Sequence, residues 1–150
     1  MGFVLGASGL PCKSRDHRFY DIERPMPPDC YREAARRLLR DANQLMGCNP
    51  RRGGTAYHLY GLVAECALKF KLVGPNHNLD DNHKHHNLSR LFSEVNRSRT
   101  GRSGHVSQRL SIHLNDWRIE SRYWSDQVLA VLNVEELRHE TEKLFNQLAL

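Results

Sequence analysis

The stretch AYHLYGLVAECALKFKLVG, residues 56–74, constrains the fold more than any other part of the chain. Its residues are apolar almost all the way around a helix, which predicts a helix that the rest of the protein encloses. Glu65 nevertheless lies at the middle of this run. Because burying an isolated carboxylate is very costly, we expect Glu65 to be paired.

Several side chains could pair with Glu65. Lys69 follows it by four residues, which places the two on one helix face. Arg122, or alternatively Arg118, can grip a carboxylate with two parallel hydrogen bonds. We favour a structural clamp between Glu65 and Arg122 that joins two helices. The functional alternative is that Glu65 acts as a general base in a nucleotide pocket.

The helical period continues on both sides of this run and predicts an all-α, up-down bundle of four to five helices over residues 29–150. Two long antiparallel helices should lie at its centre, one over 29–46 and one capped by Thr55 and ending near Val73. Shorter helices are predicted at 88–95, opened by Asn87 or His86, at 106–117, and at 134–150 after an Asn133 cap. Residues 1–28 carry no helical period and predict an extended arm.

The composition is that of an ordinary protein of one domain, with a formal charge of +5 and far more arginine than lysine. The four cysteines form no CxxC pair, no apolar run reaches membrane-spanning length, and the N-terminus is a poor signal peptide, so we expect a cytoplasmic protein without membrane contact.

The segment after Asn96 is basic and lacks acids. Its arginines and those that follow predict contacts with RNA phosphates, and a nearby tyrosine predicts base stacking; these candidates are Arg97, Arg102, Arg109, Arg118 and Tyr123. The competing interpretation is a solvated loop.

Histidines crowd the polar segment 75–87. Neutral imidazoles bind zinc or nickel, and His83 and His85 are weak candidates for such a site. Because their spacing fits no closed tetrahedral site, we predict no resident metal or other cofactor. His86 is expected to cap the short helix or to bond a backbone carbonyl, and we also count it with Glu65, Arg122 and Lys69 as a residue of the structural clamp.

Three strings resemble the HEPN domain family. YHLYGLVAECALKFKL (57–72) is similar to the central helix of that family, HNLSRLF (86–92) to its His-Asp-Leu segment, and WRIESRYW (117–124) to its Trp-x-x-x-x-Arg-Tyr segment. The resemblance implies a dimeric helical bundle associated with RNA or nucleotides, with toxin–antitoxin pairs or with phage defence. It also implies a nucleotidyltransferase-type antitoxin as a possible partner.

Catalytic members of that family are metal-independent ribonucleases that use an arginine followed, after four to six residues, by a histidine. Arg99 and His105 match this spacing in the later part of the chain, whereas Arg51 or Arg52 with His58 match it at the start of the central helix. Pairs of this kind are expected by chance in so arginine-rich a chain. We therefore expect a non-catalytic binding module, with a ribonuclease using Arg99 and His105 as the alternative and a metal-binding histidine loop as a third possibility.

Overall fold

The structure of the protein is a computed structural model. It describes residues 28–73, 79, 81–99, 110–148 and 150, with the side chains of Asp81 and Arg99 left out. The predicted arm therefore falls almost wholly outside the described residues.

Within the described residues, all regular structure is helical, which confirms the all-α prediction. The described part of the chain forms six α-helices rather than four or five: α1 Pro28–Gly47, α2 Gly53–Leu72, α3 Leu88–Arg99, α4 Ile112–Asp116, α5 Asp126–Ala130 and α6 Val134–Gln147. Two 3₁₀ turns, Asp81–His83 and Ile119–Tyr123, precede α3 and α5 respectively. None of the described helices is long and apolar enough to cross a membrane.

Helix α2 is the centre of the fold, as its all-round apolar sequence predicts. It packs most extensively on α1, with which it forms a helical hairpin, and it also contacts α3, α6 and the turn Ile119–Tyr123. The core cluster includes Tyr60 and Leu68 of α2 together with Leu91, Leu137 and Leu148 from the surrounding segments. The amphipathic helices thus pack on several sides of an apolar one, and a narrow stripe that includes Leu62 and Cys66 stays partly exposed.

Gly61 allows the closest contact in this core. A Cβ atom placed on Gly61 would lie 1.9 Å from Cε2 of Trp117. The indole is 2% exposed and therefore lies directly on the backbone of α2. This contact joins the glycine of the apolar string 57–72 to the tryptophan of the string 117–124.

Several predicted helix boundaries need correction. Thr55 does not cap α2, because the helix already begins at Gly53 and its N-cap residue, Arg52, supplies no side-chain acceptor. Helix α3 runs beyond residue 95 as far as Arg99, into the segment that was expected to be a loop.

The side-chain caps of α3 and α6 are confirmed. Oδ1 of Asn87 accepts a hydrogen bond from the Arg90 amide at 2.9 Å. Oδ1 of Asn133 accepts one from the Glu136 amide at 3.2 Å.

The predicted helix over 106–117 is much shorter than expected. Residues 106–109 lie outside the described part of the chain, and α4 covers Ile112–Asp116 alone. Trp117 follows with an extended backbone, φ −62° and ψ 142°. The chain therefore leaves the helix at the residue whose indole must reach Gly61.

Candidate functional site

Glu65 and Lys69 form a buried ion pair at the middle of α2. Nζ of Lys69 lies 2.7 Å from Oε1 of Glu65, and the two side chains are 8% and 7% exposed respectively. The spacing of four residues brings them together on one face of the helix. The expected pairing of Glu65 is thus observed, and Lys69 supplies it.

His86 completes this cluster from the segment just before α3. Its Nδ1 lies 3.0 Å from Oε1 and 2.9 Å from Oε2 of Glu65. Because a carboxylate only accepts hydrogen bonds, Nδ1 of His86 carries the proton and donates it. The imidazole is half exposed, so the cluster meets the surface at this ring. We call Glu65, Lys69 and His86 the carboxylate cluster.

The expected clamp with an arginine of segment 117–124 is wrong. The Arg122 guanidinium lies over the ring of Tyr123, 4.7 Å from its centroid. Nη1 of Arg118 donates to the carbonyl oxygens of Asn115 at 2.6 Å and Trp117 at 2.8 Å. His86, a residue of the predicted clamp, does contact Glu65 through its ring, but the cap of α3 is supplied by Asn87 and not by His86.

His58 lies two turns before Glu65 on the same side of α2. Its Nδ1 is 3.0 Å from Oγ of Ser121, and its ring centroid is 6.0 Å from that of Trp117. Burial, and then the charge of Arg122, lower the pKa of His58 below its usual 6.5, against an opposing effect of Glu65. Ser121 is 1% exposed, so the pair offers no accessible nucleophile.

Nε2 of His85 is buried and is unsuited to metal binding. Its Nδ1 accepts a hydrogen bond from the Asn87 amide at 3.1 Å. A neutral imidazole that accepts at Nδ1 carries its proton at Nε2, and a protonated nitrogen cannot coordinate a cation. No three His, Cys, Asp or Glu side chains of the described residues are grouped so as to hold a metal ion.

The predicted Arg99–His105 pair lies outside what the structure describes. The backbone of Arg99 ends α3, but its side chain and residues Arg102, His105 and Arg109 fall outside the described part of the chain. Arg97 is described, and its Nη1 lies 2.7 Å from Oε2 of Glu94.

Tyr123 lies on the surface, as a stacking side chain requires. Its side chain is 75% exposed. One face of the ring is already occupied by the guanidinium of Arg122.

A cleft of about 540 Å³ opens where α2 begins. Arg51, Arg52 and the first residues of α2 form one side, and Leu129 and Asp126 lie on the other. Nη1 of Arg51 is held 2.9 Å from Oε1 of Glu135. The cleft therefore carries both a paired arginine and a carboxylate, so its net charge is modest.

A second concavity, of about 550 Å³, was not predicted from the sequence and lies between α1 and α6. We call it the α1–α6 groove; it is lined by Arg36, Leu39, Arg40, Asn43, Gln44 and Phe145. The arginines belong to the polar face of an ordinary amphipathic helix, and Phe145 is distant in sequence. The signal that could have found the groove is the pair of arginines one turn apart, Arg36 and Arg40, on the helix that packs beside α6.

Comparison with known proteins gives no further assignment. No family model, curated protein or solved structure matches this chain.

Proposed function

We propose that this protein is a non-catalytic, HEPN-like helical module that binds RNA or nucleotides. The observation that supports this best is a set of exposed arginines that form no ion pair with any carboxylate of the described residues: Arg36, Arg37, Arg40, Arg52 and Arg90. An exposed arginine that no described carboxylate pairs is available to phosphate, which it binds through two parallel hydrogen bonds. The formal charge of +5 favours the same polyanionic partner.

The carboxylate cluster supports a non-catalytic role. Both oxygens of Glu65 accept hydrogen bonds from His86, and Oε1 also accepts from Lys69. A carboxylate that is engaged in this way and 5% exposed cannot reach a substrate proton without breaking the cluster. Its role in this proposal is to hold the start of α3 on α2.

The proposal extends the HEPN resemblance to partners. It includes a homodimer and a role in a toxin–antitoxin or phage-defence system, with a nucleotidyltransferase-type protein as the cognate antitoxin. Contact with such a protein is tested by co-purification from cells that express both chains.

The experiment that tests the proposal measures binding and cleavage on the same samples. Purified protein is titrated with a labelled single-stranded RNA at several salt concentrations in the presence of EDTA, and the RNA is then examined for cleavage. We expect binding that weakens with salt, by a logarithmic slope of about −0.7 per phosphate contact, and intact RNA. Salt-independent or absent binding would refute the proposal.

Cleavage would replace it with the ribonuclease alternative. His105→Ala is the matched variant for that outcome, because loss of cleavage in this variant alone would identify the Arg99–His105 pair as the active site. RNA that stays intact with both proteins supports the non-catalytic module.

A further inference from the structure

The α1–α6 groove has a positively charged rim. Arg36 and Arg40 are exposed, lie one helical turn apart, and form no ion pair with a described carboxylate. Glu33 and Asp41 belong to the same helix, yet neither lies within ion-pair distance of these two arginines. The rim therefore presents two guanidinium groups to an external anion.

The floor of the groove is apolar and aromatic. Phe145 and Leu39 line it and remain partly exposed. A half-buried phenylalanine ring beside two arginines offers a flat apolar face next to positive charge. This combination suits a nucleotide, because a base stacks on an aromatic ring while its phosphate meets the cations.

Asn43 and Gln44 supply amide groups at the groove. Asn43 is already engaged, since its Oδ1 accepts from the Tyr60 hydroxyl at 2.7 Å and its Nδ2 donates to Glu142 at 3.3 Å. Gln44 is exposed, and its side-chain amide makes no hydrogen bond with a described residue. One amide is thus fixed in the fold and the other is available to the edge of a base.

From these contacts we infer that the α1–α6 groove binds single-stranded RNA, with one unpaired base on Phe145 and neighbouring phosphates on Arg36 and Arg40; this rests on the proposed function. A duplex presents its phosphates while its base faces stay stacked inside, so it leaves Phe145 without a partner.

The test compares matched variants for binding to a labelled single-stranded RNA and to the same strand annealed to its complement. Arg36→Gln and Lys143→Gln each remove one positive charge from an exposed position, on α1 and α6 respectively, but only Arg36 lines the groove. We expect Arg36→Gln to weaken single-strand binding about tenfold or more. Lys143→Gln should weaken it by about twofold or less.

Phe145→Leu tests the stacking contact while keeping an apolar side chain. We expect it to weaken single-strand binding by about 5- to 150-fold and to leave duplex binding unchanged. Phe70→Leu is the matched control, because that ring is partly buried too but is already contacted by Arg32 and Lys71. It should bind like the unaltered protein.

The outcomes separate this inference from the proposed function. If the unaltered protein binds single-stranded RNA and both groove variants bind equally well, the groove assignment is overturned and the RNA-binding function stands. Failure of the unaltered protein to bind at low salt removes both. A dimer that dissociates to monomers in Phe145→Leu, measured by light scattering, would assign the groove to a second copy of the chain and overturn the inference.

Discussion

Replacing Gly61 with alanine should destabilise this protein far more than a glycine-to-alanine change elsewhere in its helices. The added methyl group would lie 1.9 Å from Cε2 of Trp117, whereas ordinary contact begins at 3.4 Å. The indole would have to withdraw by about 1.5 Å, which opens the packing around a side chain that is now almost fully buried.

The magnitude follows from three effects. Overpacking a core costs about 1–3 kcal/mol, and losing the contacts of a buried tryptophan costs about 3–5 kcal/mol at the limit. The better helix propensity of alanine offsets about 1 kcal/mol of this loss in the free energy of unfolding. We therefore expect Gly61→Ala to lower the free energy of unfolding by about 2–4 kcal/mol, which for a chain of this size lowers Tm by roughly 5–15 °C.

Gly47→Ala is the matched control. Gly47 is the last residue of α1, and a Cβ atom there would meet nothing within 4 Å. Its free energy of unfolding should change by about 0.5 kcal/mol or less. Chemical denaturation of the two variants and the unaltered protein gives both values from one series.

A double-mutant cycle identifies Trp117 as the cause. In a Trp117→Leu background the added methyl group has room, so Gly61→Ala should cost nothing there or even stabilise the helix. The reasoning is refuted if Gly61→Ala is as stable as Gly47→Ala, or if it costs the same with leucine at position 117.

Three further predictions concern buried polar groups. Glu65→Gln leaves the charge of Lys69 buried without a counterion, so chemical denaturation should show a loss of about 3–5 kcal/mol, most of which a second change, Lys69→Met, restores. Because the pKa of His58 is lowered below 6.5 by burial, the unfolded chain takes up the proton first as the pH falls. The contribution of His58 to the free energy of unfolding should therefore be constant above the usual pKa of 6.5 and decline as the pH falls below it. His58→Gln should reduce this loss of stability, measured by chemical denaturation between about pH 7 and about pH 5. Burial raises the pKa of the Cys66 thiol to about 11, so mass spectrometry should find it alkylated far more slowly at neutral pH than the exposed Cys48; equal rates would contradict this.

The sequence allowed the central helix to be predicted because its signal is local. The apolar run of α2 shows an enclosed helix, and the carboxylate within it requires a partner wherever the other helices lie. The caps at Asn87 and Asn133 are also local, since each side chain bonds an amide three residues later. These features depend on neighbours in the chain, and the structure confirms them.

The features that escaped prediction depend on tertiary placement. His86 reaches Glu65 because of where α3 begins, and nothing in the sequence ranks an imidazole above the guanidinium of Arg122 as the partner. The α1–α6 groove likewise requires Phe145 to lie beside Arg36, across more than a hundred residues of chain. Such pairs are set by the packing angle of two helices, which periodicity leaves undetermined.

Burial along the middle of α2 has a consequence for how much change the chain can accept. A surface helix has a broad outward face on which substitutions cost little, but the middle of α2 has only a narrow, partly exposed stripe at Leu62 and Cys66. The other residues there are buried: Tyr60, Gly61, Val63, Ala64, Glu65, Ala67 and Leu68. Saturation mutagenesis should therefore find two contrasting profiles in the helical hairpin. Tolerated positions should recur with each turn along α1, whereas in the middle of α2 they should be confined to Leu62 and Cys66.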